Sequence, residues 1–522
     1  MRIQNTDLFF NVVKLRTRMT RFSLPTLLWL GAAFILIVYG LLAFNAGTKL
    51  SPVISSSTEG ASAIERVIEE AEYGPLIKSP EYIEQYLPSW LDLVAELGSH
   101  QYAYGRDSLM STEKHYHAMP KTERYVLSTH MMLGLVIMAA GVFQFIPAFR
   151  RQFRLAHRLL GVLYVGAAMA SMSMSSYYLF VTKISDVYST WFFYWGLWIL
   201  VVVSVSGMTI AGYSILKRDI TRHMGWQAIA FGAFLTAPIQ RFLWIGLGPI
   251  SGESSFNEMN IAVNISLLAI ASLCGYLIFV ANRAASPLKR SKVQTAADNA
   301  ATPPLQTAVK LTAGSMLLFM AYFYFVSGGF LSSPTIMQLM PVSAASMHDT
   351  IMAPLSTSLL VIAAAVIVSL GVKLLLSSSE HFEKNHFLVK PIFVAALVAG
   401  LILCNWGYQL GLPTHEKVVA GAYYMTTGLF TLAFALYLGV SYLKANIGLV
   451  RESLFFVILL AVSPALQFIA LFITSWMAFV PDPYRLEGHG YQLAAAFALA
   501  TPILIPFLVA IYSRYTNRFS IH

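Results

Sequence analysis

The sequence predicts an all-α, polytopic transmembrane bundle of about twelve spans, arranged as two parallel six-helix halves with a small helical domain outside the membrane. Three observations lead there. Charged residues make up only 11% of the 522 residues, and mean hydropathy is +0.63; a soluble chain carries about 25% charged residues. Apolar runs of about twenty residues, each long enough to cross a bilayer as a helix, recur along most of the chain. The runs are continuous rather than alternating, which fits helices and excludes a closed barrel.

In chain order the spans fall near 25–47, 125–148, 155–180, 190–214, 223–247, 260–282, 310–330, 351–376, 388–410, 416–443, 452–479 and 489–513. The first run is long and lacks a small-residue cleavage site, so it reads as an anchor rather than a cleaved signal peptide. Residues 1–47 form the cytoplasmic N-terminus and first span, and 48–124 the extracytoplasmic domain. Residues 125–282 form the first-half bundle, and 310–522 the second. The segment between them, 283–309, is Ala-, Pro- and Ser-rich with basic residues at its start. It reads as a flexible cytoplasmic linker.

Charge sets the orientation. The net charge of +10 is a topology signal and implies no nucleic-acid partner. With the N-terminus inside, 24 of the 35 Lys and Arg fall in inner segments, while the short outer loops hold only Lys183, Lys417 and Arg485. Both termini are therefore expected in the cytoplasm, with the chain in the cell inner membrane and the lipid bilayer as its first partner. The outer domain reads as short amphipathic helices, and its His115 and His117 read as a solvated surface pair with no third metal ligand at zinc spacing. The only two cysteines, Cys274 and Cys404, sit inside spans and read as packing residues.

The halves look duplicated. His130 and His348 stand at the second span of each half, and His157 and His386 at the next inner boundary. TAPIQRF (236–242), near the end of one span, has a counterpart in SPALQFI (463–469). An even number of spans per half makes such a repeat parallel. No carboxylate lies in the middle of a span, where cation-coupled carriers usually hold one. The buried polar groups are histidine, arginine and glutamine instead. His130, Gln240 and Arg241 fall at an outer level, and His157 and His223 at the inner boundary of two helices that can lie diagonally in a four-helix bundle. Two imidazoles so placed can ligate one haem iron.

His130-x3-Gly134, Gly141-x2-Gln144-Phe145, His157-Arg158-x2-Gly161-x2-Tyr164 and Arg222-His223 resemble a family of bacterial multi-pass membrane proteins catalogued only as a domain of unknown function. The resemblance covers about 125–245. The histidine layout is also similar, more loosely, to transmembrane b-type cytochromes with two haems in a four-helix bundle. That likeness implies haem b, with His157 and His223 as axial metal ligands. His130 would serve an outer site, and Arg158, Arg222 and Arg241 would pair with propionates. The chain departs from the cytochrome pattern at the fourth helix, which offers Trp191, Tyr194 and Trp195 but no histidine opposite His130.

Each residue also has a plain reading. The inner histidines can be interfacial, Arg241 can snorkel outward, and the glycines can serve helix contact. Three functions remain open: a haem-binding electron-transfer protein exchanging electrons with quinone or a membrane redox partner, a transporter for a neutral or anionic solute, or a structural or assembly subunit.

Overall fold

The computed structural model describes residues 24–512 apart from 55–58, 74–79, 89–90, 98–99, 188, 252–254, 285–302, 327–350, 352, 414–418 and 477–478. His348 and most of the expected linker lie outside the described residues. Among the described residues there are helices and no strand. Nine helices are long and apolar enough to cross a membrane, or up to eleven when each of two bent pairs counts as one span.

The first half runs α1 (Leu24–Leu50), then the outer domain, then the bundle. The outer domain holds α2 (Gly60–Tyr73), α3 (Leu91–Leu97), α4 (His100–Tyr104) and α5 (Leu109–Ala118). The bundle continues as α6 (Lys121–Gln144), a short α7 (Pro147–Gln152), α8 (Arg154–Val181), α9 (Thr190–Leu216), α10 (Ile220–Phe234), α11 (Thr236–Ser251) and α12 (Phe256–Ala284). The second half comprises α13 (Pro303–Ala321), α14 (Pro354–Leu375), α15 (Ser379–Asn385), α16 (Val389–Leu410), α17 (Ala422–Leu443), α18 (Ile447–Ala461), α19 (Ser463–Trp476), α20 (Asp482–Leu486) and α21 (His489–Tyr512).

Two expected straight spans are broken. The 223–247 span is α10 plus α11, bent by 42°, and the 452–479 span is α18 plus α19, bent by 50°. Pro238 and Pro464 stand in the first turns of the second pieces, where a missing N–H costs nothing but an unbroken helix would clash. TAPIQRF and SPALQFI thus open second half-helices instead of ending long ones. The expected seventh span begins earlier, at Pro303, and passes into a π-helix over Tyr322–Val326.

From the end of α9 through the first bend the repeat has a separation of 227 positions, whereas the ends of α6 and α14, Gln144 and Leu375, are 231 apart. Ile220–Phe234 recurs as Ile447–Ala461. The turn before it recurs as well: Arg218 and Ala445 both take positive φ, 60° and 49°. Asp219 then caps α10 by accepting from Arg222 N at 3.0 Å, as Asn446 caps α18 by accepting from Leu449 N at 3.1 Å. Each side-chain oxygen satisfies one of the orphan amides of a helix start. His348 lies outside the described residues. His386 stands exposed in the turn before α16, 229 positions from His157, which is also the separation of the ends of α8 and α16, Val181 and Leu410. The halves meet along α12 and α21, and Thr190 Oγ1 lies 2.9 Å from His489 Nε2 across the junction.

The outer domain follows an amphipathic logic. Ala63, Ile64, Val67, Ile68 and Ala71 bury one face of α2, while Glu69, Glu70 and Glu72 face out. Its core continues into Trp244, Phe256, Met259 and Val263, which seats the domain on α11 and α12. Contrary to the expected solvated pair, His117 is buried, at 5% exposure. A Cβ on Gly60 would stand 2.7 Å from its Nδ1, so only glycine lets α2 start there.

Candidate functional site

The inner histidines sit in the first turns of α8 and α10, both half-buried. His223 Nδ1 is 3.0 Å from the Ala211 carbonyl of α9, an acceptor that fixes a proton on Nδ1. His157 Nδ1 meets the amide of Gln144 on α6. With the nitrogen facing it, that amide donates to Nδ1 at 2.9 Å and its oxygen accepts from Gly161 N at 3.3 Å. This arrangement leaves the proton of His157 on Nε2; the reverse amide orientation places it on Nδ1. Neither Nε2 makes a hydrogen bond among the described residues. The two imidazoles are within electrostatic reach of one another, and the charge of Arg150 is felt by both. Arg150 itself leans on α10, with Nη1 3.6 Å from Met224 Sδ.

Arg158 and Arg222 are exposed. The first acts on His157 only through its field. Arg222 pairs with Asp219 at 3.2 Å and covers the Tyr512 ring at 5.0 Å. In the second half Arg451, at the position of Met224, donates to Ser377 O in the turn after α14 at 2.8 Å.

On α6, His130 Nδ1 is held by Ser171 Oγ at 2.8 Å and Ser175 Oγ at 2.9 Å. No second histidine faces it among the described residues. Arg241, on α11, donates to Gln240 Oε1 at 2.7 Å and lies 5.0 Å from the Trp244 ring. It makes no ion pair among the described residues, yet its charge reaches Tyr39 of α1, Glu113 of the outer domain and His130. Glu113 is an acid that lies outside the apolar spans in sequence and beside them in space. It hangs from α5 over the membrane helices, and burial pushes its carboxyl up to about 7 against the lowering fields of Arg241 and Lys49. Lys49 is anchored by the carbonyls of Glu84 and Leu87, each at 2.6 Å. Nothing local marks Glu113; only docking of the outer domain brings it there.

The bends carry the third feature. Gln240 sits one turn past the first bend, fully enclosed, and donates to Asn264 Oδ1 at 2.9 Å and Asn260 Oδ1 at 3.2 Å. The Gln467 side chain lies against the Tyr491 hydroxyl, and both residues are 227 positions on. Beside the first bend opens a cleft of about 50 Å³. It lies between α9 and α12 of the first half and α21 of the second, and it is apolar except at Thr236 and Asn264. Among the described residues no group of three His, Cys, Asp or Glu could hold a metal ion.

Residues 127–279 match a family model described as "Predicted membrane protein (DUF2306)", a domain of unknown function. That segment spans α6 to α12, including both inner histidines, Arg241 and the first bend. No curated protein and no solved structure matches the chain.

Proposed function

We propose that the chain is a carrier of the cytoplasmic membrane for a neutral or anionic solute. The observation that carries this is the pair of bent helices at equivalent positions, with a cleft at the first bend and at the junction of the halves. Discontinuous helices in corresponding places of two repeats free backbone groups at mid-membrane, where a solute can use them. Arg241, without an acid partner among the described residues, favours an anion over a cation on the outer side of the bend. Glu113 offers a titratable carboxyl from the outer domain in place of the mid-span acid that the sequence lacks.

The test uses Cys274 and Cys404 replaced by alanine, with Thr236→Cys added, in sealed vesicles of both orientations. A membrane-impermeant thiol reagent is expected to label this position from either side, since a carrier exposes its site alternately. Labelling from one side alone, or from neither, overturns the reading.

A second reading rests on a different observation. His157 and His223 lie within electrostatic reach of each other and of Arg150, and neither Nε2 has a hydrogen bond among the described residues. In that reading they are axial ligands of one haem b, and electrons pass to quinone or a membrane redox partner. Gln144 would then turn its oxygen to His157 Nδ1, because ligation through Nε2 needs the proton on Nδ1. The purified protein, expressed with ample haem, would show a Soret band that His157→Ala and His223→Ala each abolish. A wild-type protein without that band removes the reading.

A further inference from the structure

The two halves fill equivalent space differently. At 227 positions, Tyr423, Ser463 and Tyr491 correspond to Gly196, Thr236 and Asn264. In the second half the space is closed. Tyr423 and Tyr491 are fully buried, the Tyr423 hydroxyl is 2.6 Å from Ser463 Oγ, and the Tyr423 and Tyr424 rings meet edge to face at 5.1 Å. In the first half the same three positions line the cleft. A Cβ built on Gly196 would meet nothing within 4 Å. Asn264 is only 8% exposed and its Nδ2 has no partner, although Gln240 holds its Oδ1. A buried donor left open costs on the order of 1–3 kcal/mol, so an acceptor supplied by a ligand would be rewarded. The other walls are apolar, with Phe192 and Phe497 among them.

We propose that the first-half cleft binds a single aromatic ring carrying a hydroxyl, a phenol or a quinol headgroup, seated where the second half places the Tyr423 ring. The ring hydroxyl would donate to Thr236 Oγ1, whose own proton goes to Ala233 O at 2.6 Å, as the Tyr423 hydroxyl meets Ser463, and a ring hydroxyl oxygen would accept from Asn264 Nδ2. Such binding gives the carrier reading a solute class and depends on that reading only for the transport step after the ring is bound. The two-sided labelling of Thr236→Cys can succeed while ring binding fails, and the reverse.

The probe is 4-methylphenol, the tyrosine side chain itself, titrated calorimetrically into the purified full-length protein. Saturable binding at one site is expected. Gly196→Tyr supplies the ring from the chain and should weaken binding by about tenfold or more while raising the melting temperature. Asn264→Leu, which keeps the cleft but removes the donor, should weaken it as well. Two competitors separate the sources: a decyl-substituted benzoquinol, kept reduced, for a lipid-borne ligand and 4-hydroxybenzoate for a water-borne one, and displacement by either supports the class. Absence of saturable binding overturns the inference. So do equal binding by wild type and both variants, equal binding of 4-methylcyclohexanol, or displacement by neither competitor.

Discussion

Gln240 donates through Nε2 to Asn264 Oδ1 at 2.9 Å, while its Oε1 accepts from Arg241 Nη1 at 2.7 Å. One amide therefore joins the floor of the cleft to the arginine of the outer cluster. Gln240→Leu strips Asn264, Asn260 and Arg241 of their shared partner at once. Interhelical hydrogen bonds in membranes are worth about 0.6 kcal/mol each and at most about 1.7, so a loss of roughly 1–3 kcal/mol is expected. Unfolding of the purified protein in detergent, followed by tryptophan fluorescence, measures it. An unchanged stability would mean that the chain of amides contributes nothing net.

The stability of the outer domain should respond to pH through two groups that oppose each other. Burial lowers His117 to about 4, with Nε2–H donating to Tyr86 O at 3.1 Å. Between about 4 and 6.5 the unfolded chain binds the extra proton, so this group destabilises the domain as pH falls, by up to about 3 kcal/mol. Glu113, raised to about 7, keeps a proton that the unfolded chain has lost. It destabilises the domain as pH rises from about 4.5 to 7. Together they should leave the wild type nearly flat between about pH 4.5 and 6.5. Glu113→Gln should expose the acid lability of His117, and His117→Leu the opposite trend. Protease cutting within 48–124 of the full-length protein, read across this range, distinguishes the three profiles.

Much of this was legible in the chain. Hydropathy places the spans, because crossing a bilayer demands long apolar runs whatever the neighbours do. The glutamines of TAPIQRF and SPALQFI mark true equivalents, since the bends, caps and positive-φ turns all repeat at their separation. The bends themselves were signalled by Pro238 and Pro464, but a continuous apolar run hides a break whose two pieces are both membrane-soluble. The histidine landmarks carry less: His348 lies outside the described residues, and His386 follows His157 at the separation of the ends of α8 and α16 without any cap or bend to mark the register. His117 and Glu113 could not be read at all. Their burial depends on Gly60 and on α11, contacts that are remote in sequence.

Close helix contact gives a separate prediction. A Cβ on Gly232 would stand 2.8 Å from Ala271 O, and one on Gly275 2.7 Å from Ala228 O, so α10 and α12 cross at near-backbone contact. Gly232→Ala and Gly275→Ala should each cost about 1–3 kcal/mol by forcing the helices apart. Their double variant should cost less than the sum, because one displacement relieves both clashes. Gly212→Ala is the control. Its Cβ would meet nothing within 4 Å, and helix propensity alone predicts a gain of up to about 1 kcal/mol.

The last prediction concerns the field of Arg241 on Glu113. Burial holds this carboxyl near 7, and the guanidinium opposes that rise more strongly than Lys49 does. Arg241→Gln removes the larger favourable charge while Lys49 stays anchored on its two carbonyls. The other charges around α5 change little: Lys114 remains paired with Glu65 of α2, and Glu84 continues to act on Lys49. The titration midpoint of Glu113 should therefore move up from about 7. Arg241→Lys, which keeps a positive charge at the same station, should largely restore it. The protonated carboxyl band in infrared difference spectra, assigned by its loss in Glu113→Gln, tracks this titration directly. A midpoint that stays fixed in Arg241→Gln, or falls, would show that Arg241 and Glu113 do not share one electrostatic environment, and the outer cluster would then be two unrelated sites.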